Sequence, residues 1–146
     1  AKLTAYLDAG GNLLISGSEI GWDIGRAASA NANLNFYNNY LKANYIDDDA
    51  GTYNFTGTSQ FFANQSGTFD NGSAGIFDVD FPDRIGAVTG AELLLNYSGG
   101  TGDGAAVGFR GNHRVVYMAF PFEAITDPAI RSTVMCNAVS YLTPLL

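Results

Sequence analysis

Asn12-Leu13-Leu14-Ile15-Ser16-Gly17-Ser18-Glu19-Ile20-Gly21-Trp22-Asp23 is the stretch from which the rest of the chain is read. Leu13-Leu14-Ile15 is a short apolar run of the kind that fills a buried strand. It breaks into Gly17-Ser18-Glu19-Ile20-Gly21, a turn with glycines on both sides of a central residue. In α/β enzymes such a turn presents its middle side chain at the top of a sheet, because the glycines let strand and helix approach closely. Here the middle residue is Glu19, where an enzyme of that type would carry Ser or Cys. The turn therefore has the shape of a nucleophile elbow with a carboxylate at its tip.

On the N-terminal side, Leu3, Tyr6 and Leu7 recur at helical spacing and Gly10-Gly11 supplies a stop. On the C-terminal side, residues 26–33 are small and polar and read as a loop. Phe36, Tyr37, Tyr40 and Leu41 form an amphipathic helical stripe, whose aromatics are expected to pack in the core. A short strand is expected over residues 52–56, and residues 57–75 form a long polar excursion broken by Phe61, Phe62 and Phe69. Residues 76–81 are expected to be extended and Pro82-Asp83 to turn. Residues 91–97 read as a strand. Residues 105–109 and 114–120 pair naturally as antiparallel strands around Gly111-Asn112. Asp127 then caps a final helix, with Pro128 at its first position and Ile130, Val134, Ala138, Tyr141 and Leu142 along one face.

At 146 residues, residues 1–146 are read as one domain, able to bury roughly two-thirds of its surface. The net charge of −7 with only seven scattered Lys and Arg argues against nucleic acid as a partner. No apolar run is long enough for a transmembrane helix, so a membrane is not expected as a partner. The single Cys136 has no disulfide partner and is expected to be a buried small hydrophobe. The first residue is Ala, consistent with a processed chain or a piece of a longer one. Few Lys and many Asn, Gly, Ser, Thr and Tyr suit a secreted or cell-surface bacterial protein.

Residues 5–23 (AYLDAGGNLLISGSEIGWD), 36–51 (FYNNYLKANYIDDDAG) and 111–125 (GNHRVVYMAFPFEAI) together resemble the class I glutamine amidotransferase-like domains of large secreted bacterial proteins, including xanthan-lyase-related proteins and some peptidases. The resemblance implies an α/β fold, a flavodoxin-like three-layer sandwich that lacks its first βα units and carries an antiparallel hairpin near the C-terminus. Amidotransferases of this family place a Cys at the elbow and a His-Pro-Glu segment after a late strand. Here the corresponding positions are Glu19 and Phe120-Pro121-Phe122-Glu123, so nucleophile and base are both missing and amidotransferase activity is not expected. Missing βα units would leave a sheet edge uncovered, an invitation to pair with a second copy, so a homodimer is among the expected partners beside the other domains of a parent protein.

The catalytic candidates are Glu19 and Glu123, which could act as a paired acid and base if they share a site. Trp22 and Asp23 are the natural ligand-binding neighbours at the end of the first strand. The alternative for Glu19 is a structural one, capping a helix start or accepting backbone amides at the turn. Phe61 and Phe62 could stack on sugar rings, or could pin the long excursion onto the core. Asp47, Asp48 and Asp49 could seed a hard-cation site, but their spacing fits no EF-hand and a solvated acidic turn is preferred. Asp78, Asp80 and Asp83 are read in the same way. His113, the only histidine, is read as a surface or turn residue, since zinc would need more His or Cys ligands. No residue pattern implies a cofactor.

The leading functional reading is a non-catalytic accessory domain beside a polysaccharide-active enzyme or a peptidase. A carbohydrate-binding module and a hydrolase or lyase using Glu19 with a second carboxylate stay open as alternatives.

Overall fold

A computed structural model describes residues 2–143. Helix α1 (Lys2–Asp8) leads into strand β1 (Asn12–Ser16), and a π-helical turn over Gly21–Gly25 follows the Glu19 loop. Helix α2 (Leu34–Asn39) ends early and gives way to β2 (Ala43–Asp47). Lys42 makes that change of direction with a left-handed backbone, φ 64°. Then come β3 (Asn54–Gly57), β4 (Ser66–Thr68), β5 (Arg84–Ala87), β6 (Glu92–Tyr97), β7 (Gly104–Arg110) and β8 (Arg114–Met118). Helix α3 (Pro128–Leu142) follows, with Asp127 Oδ1 accepting from the amides of Ala129 and Ile130 at 2.7 and 3.3 Å.

The strand order β1-β8-β7-β6-β3-β4, with β5 joined to β7 and β2 to β5, forms one sheet that curls into a half-barrel. Among the described residues only β1 and β8 run parallel, and every other strand pair is antiparallel. This corrects the expected flavodoxin-like three-layer sandwich. A doubly wound parallel sheet needs a helical crossover between successive strands. Between β2 and β8 this chain has no α-helix, so those strands connect through turns and loops. The expected hairpin around Gly111-Asn112 is one of these pairs, with Arg110 opposite Arg114.

At its central strands β7 and β8 the sheet is buried on both faces, onto which the side chains alternate. Val116 and Met118 of β8 point into a cluster closed by Val134, Ala138 and Tyr141 of α3, with Leu14 packed against it. Val115 and Tyr117 point the other way, toward Tyr37 and Leu41, with Leu13 and Ile15 alongside. Burial on both sides explains the unbroken apolar run of β8. Phe120, just beyond β8, stacks on Phe69 at 4.8 Å and on Phe55 at 5.2 Å between ring centroids. That ladder fastens the polar excursion to the core.

Several expectations are corrected here. Residues 43–47 and 84–87 are strands, whereas residues 76–81 contribute only an isolated bridge, Asp78 to Asn71. His113 is buried, its Nε2 3.0 Å from the carbonyl oxygen of Tyr40 and its ring against Phe109 and Tyr40. Cys136 lies on the outer side of α3 and is exposed. Among the described residues no helix is long and apolar enough to cross a membrane.

Candidate functional site

Because β1 and β8 are parallel, with Ser16 opposite Met118, both strands deliver the chain to the same edge of the sheet. The segments that leave them stay together there. The Gly17 amide donates to the Met118 carbonyl at 3.1 Å, and the Phe122 amide donates to Ser16 Oγ at 3.2 Å. Between them opens a cleft of about 640 Å³, lined by residues 16–20, Trp22, Asp23, Phe77, Pro121 and Glu123. The topology thus brings together Glu19, Glu123, Trp22 and Asp23, although the four lie on segments about a hundred residues apart.

The Glu19 loop has relaxed backbone. Among the described residues the only non-glycine positions with positive φ are Lys42, Asp49 and Asn64, so Glu19 does not sit on a strained elbow. Nor is Glu19 the carboxylate that ties the turn. That role belongs to Asp83, at the entrance to β5. Its Oδ2 accepts from the Gly21 amide at 2.6 Å and its Oδ1 from the Trp22 amide at 3.0 Å, while its own amide donates to the Ser18 carbonyl at 2.9 Å. Gly21 is required at this contact: a Cβ there would lie 2.6 Å from Tyr37 Oη and 3.0 Å from Asp83 Oδ2.

Asp83 is fully buried. Burial pushes its carboxyl up to about 8, against the lowering effect of the two amides, and the charges of Glu19 and Asp48 push the same way. Tyr37, Tyr97 and Tyr117 surround it. Tyr97 Oη donates to the Asp83 carbonyl at 2.8 Å, and Tyr37 and Tyr117 share a hydroxyl contact of 3.4 Å. Glu19 is exposed at the mouth of the cleft, and its carboxyl is raised by partial desolvation and then by Asp48.

Two aromatic rings line the cleft with much of their surface in solvent: Trp22 at 38% exposure and Phe77 at 44%. The Arg26 guanidinium sits 3.6 Å from the centroid of the Trp22 ring, and Tyr45 meets it edge-on. Phe77 belongs to a loop gathered around Asp70, whose buried carboxylate accepts amides from Ala74, Ile76 and Phe77 at 2.9, 2.8 and 3.2 Å. Those amides hold the Asp70 carboxyl below its ordinary range. Asp23 accepts from Asn31 Nδ2 at 2.7 Å. Glu123 projects from a short 3-10 turn, whose carbonyls at Glu123 and Ile125 accept from Arg131 Nη1.

Other candidates lie elsewhere. Phe62 is fully buried and cannot serve as a sugar platform. Phe61 packs edge-on against Tyr141, with the Arg110 guanidinium 5.0 Å from its centroid. Asp47, Asp48 and Asp49 each accept a backbone amide one or two residues ahead, and Asp47 also faces Arg84 at 3.5 Å. They build their own turn, and among the described residues no three acidic, His or Cys side chains are grouped to hold a metal ion. Phe77 and Asp70 were missed by sequence reasoning, and Asp83, read there as part of a solvated acidic turn, is instead fully buried. Asp83 reaches amides 61 and 62 positions away, so it carries no local signal; Asp70 bonds within seven residues, in an irregular loop with no repeating pattern.

No family model matches the chain, and no curated protein is significantly similar to it. Solved structures share the fold. A cytoplasmic protein, STM1381, from Salmonella typhimurium LT2 aligns over 97% of this chain and 59% of its own, with a TM-score of 0.64 and 16% identity. The exo-beta-1,4-mannosidase Op5Man5 from Opitutaceae bacterium strain TAV5 aligns over 99% of this chain and 23% of its own, with a TM-score of 0.56 and 20% identity. The mmIFT52 N-terminal domain aligns over 98% and 69%, with a TM-score of 0.62 and 12% identity. The chain thus spans 59% of the Salmonella protein's length and 23% of the mannosidase's. At these identities the likeness is one of fold.

Proposed function

We propose that this chain is a non-catalytic, carbohydrate-binding accessory domain of a secreted bacterial protein, and that its ligand is a neutral oligosaccharide seated in the cleft between Glu19 and Glu123. The observation that carries the reading is the pairing of two exposed rings, Trp22 and Phe77, with the carboxylates of Glu19, Asp23 and Glu123 and the hydroxyls of Ser16 and Ser18. Pyranose rings offer apolar C–H faces to aromatic side chains and hydroxyl donors to carboxylates. Three acidic side chains in a chain of net charge −7 oppose a uronate or a phosphosugar. A domain of this fold inside a mannosidase supports a setting beside polysaccharide chemistry.

The test is a pull-down and calorimetric panel of insoluble and soluble polysaccharides, neutral against uronate-bearing. Binding to a neutral glycan, lost in Trp22→Ala, supports the proposal. Retention of the uronate polymers alone would sink it.

A second reading has one observation in its favour. Glu19, raised by its surroundings, shares the cleft with Glu123, the arrangement from which an acid and base pair could act on a glycosidic bond. Turnover of a glycan that vanishes in a folded Glu19→Gln variant would establish it over the binding role.

A further inference from the structure

We propose that Asp70 and Asp83 are the positioning residues of the cleft, each fixing one of its aromatic walls through that residue's own backbone amide. The two contacts are of one kind although they come from unrelated parts of the chain. Asp83 Oδ1 accepts from the Trp22 amide and Oδ2 from the Gly21 amide beside it. Asp70 Oδ2 accepts from the Phe77 and Ile76 amides and Oδ1 from Ala74. Both aspartates are fully buried, while both rings they hold are exposed at the cleft.

Neither segment belongs to the sheet or to a long helix. Trp22 lies in a five-residue π-helical turn and Phe77 in an irregular loop. An exposed ring on such a segment would otherwise have to be ordered when a ligand arrives, which weakens binding. A buried carboxyl group bonded to the backbone at the ring's own residue removes that freedom in advance, the usual way a binding site is supported from behind. Each aspartate is itself anchored to the scaffold. The Asp83 amide is bonded to Ser18 and its carbonyl to Tyr97. The Asp70 amide donates to the Ala124 carbonyl, in the 3-10 turn that carries Glu123. Asp83 thereby ties the Trp22 turn to the Glu19 loop, and Asp70 separately ties the Phe77 loop to the Glu123 turn.

The proposal rests on the carbohydrate reading for its ligand and on geometry alone for the positioning, and the experiment separates the two. Trp22 is the only tryptophan, so its emission reports one wall without labelling. Acrylamide quenching and emission anisotropy are measured on the whole chain as wild type, Asp83→Asn and Asp70→Asn, and each form is titrated with mannohexaose. Asp83→Asn is expected to raise quenching and lower anisotropy of Trp22, and Asp70→Asn to leave both unchanged. Each variant is expected to bind mannohexaose about tenfold more weakly or worse, the loss of roughly one hydrogen bond to the backbone.

A folded Asp83→Asn with unaltered Trp22 emission overturns the proposal. So does an Asp70→Asn that disturbs Trp22 equally, or unchanged affinity in both folded variants. If Asp83→Asn fails to fold, amide exchange in the wild-type chain decides. Protection at Gly21, Trp22, Ile76 and Phe77 supports the proposal, and exchange there at free-peptide rates overturns it. If wild type binds no mannohexaose, the ligand reading loses that sugar, while emission and exchange still decide the positioning.

Discussion

Replacing Asp83 by Asn tests the buried carboxyl that holds the Glu19 turn. Asn keeps the shape but sets an NH2 group against one of the two backbone amides that Asp83 now satisfies. One buried N–H then loses its acceptor, a cost of about 1–3 kcal/mol. The wild-type carboxyl carries a different penalty, one that depends on pH. Its ordinary value is 3.8 and burial lifts it to about 8 in the fold. Between those limits the unfolded chain has released this proton and the folded chain retains it. The folded state binds more protons at this group, so the contribution of Asp83 to stability is full below about pH 4 and declines as pH rises toward 8. At about 1.4 kcal/mol per tenfold change in proton affinity, the decline across that window is of the order of several kcal/mol.

Asn has no proton to lose. The variant is therefore expected to be less stable than wild type near pH 5, with the gap closing or reversing by pH 8.5. Urea unfolding at four pH values, followed by Trp22 emission and by far-ultraviolet circular dichroism, measures both curves, and equal m-values check that the same surface is exposed. Parallel stability curves for the two proteins from pH 4.5 to 8.5 would refute the reasoning, because they would mean that Asp83 titrates in the fold as it does in the unfolded chain.

Three further outcomes follow from the packing. Phe120→Ala, which removes the ring stacked on Phe55 and Phe69, is expected to cost about 3–5 kcal/mol in chemical denaturation. Gly21→Ala forces a Cβ toward Tyr37 Oη and Asp83 and is expected to cost about 1–3 kcal/mol, with a shift in Trp22 emission that a distant alanine substitution would not produce. The Cys136 thiol, exposed on α3, is expected to react stoichiometrically with a disulfide reagent in the native protein; a requirement for denaturant would contradict its placement.

What the sequence made legible follows the reach of each signal. Helix α3 announces itself through Asp127, Pro128 and its apolar spacing, all within one segment; of the face the spacing picks out, Val134, Ala138, Tyr141 and Leu142 are buried and Ile130 half-buried. The β7–β8 pair is likewise local, closed by a short turn at Gly111-Asn112. Strand β5 is four residues, Arg84-Ile85-Gly86-Ala87, with a glycine inside, too short for an alternating pattern to register. Strand β2 follows the aromatic stripe of α2 without punctuation, and only the left-handed turn at Lys42 separates them. The parallel-sandwich expectation came from the resemblance of residues 5–23, 36–51 and 111–125 to amidotransferase-like domains, and without those two strands the antiparallel course of the sheet was not apparent. The cleft was half legible: a strand followed by a glycine-flanked Glu marks where one wall leaves the sheet. That Glu123 shares the same cleft depends on β1 and β8 lying parallel, and Asp83 on a contact across 62 positions, neither of which local pattern encodes.

The most direct test of the central claim is to map a neutral oligosaccharide onto the chain by amide chemical-shift changes during a mannohexaose titration. The account predicts saturable shifts concentrated at Ser16, Ser18, Glu19, Trp22, Phe77 and Glu123, at the end of β1 and β8, with residues around Phe61 and Tyr141 unmoved. Saturable shifts centred on Phe61 and Tyr141, leaving Trp22 and Glu123 unperturbed, would contradict it.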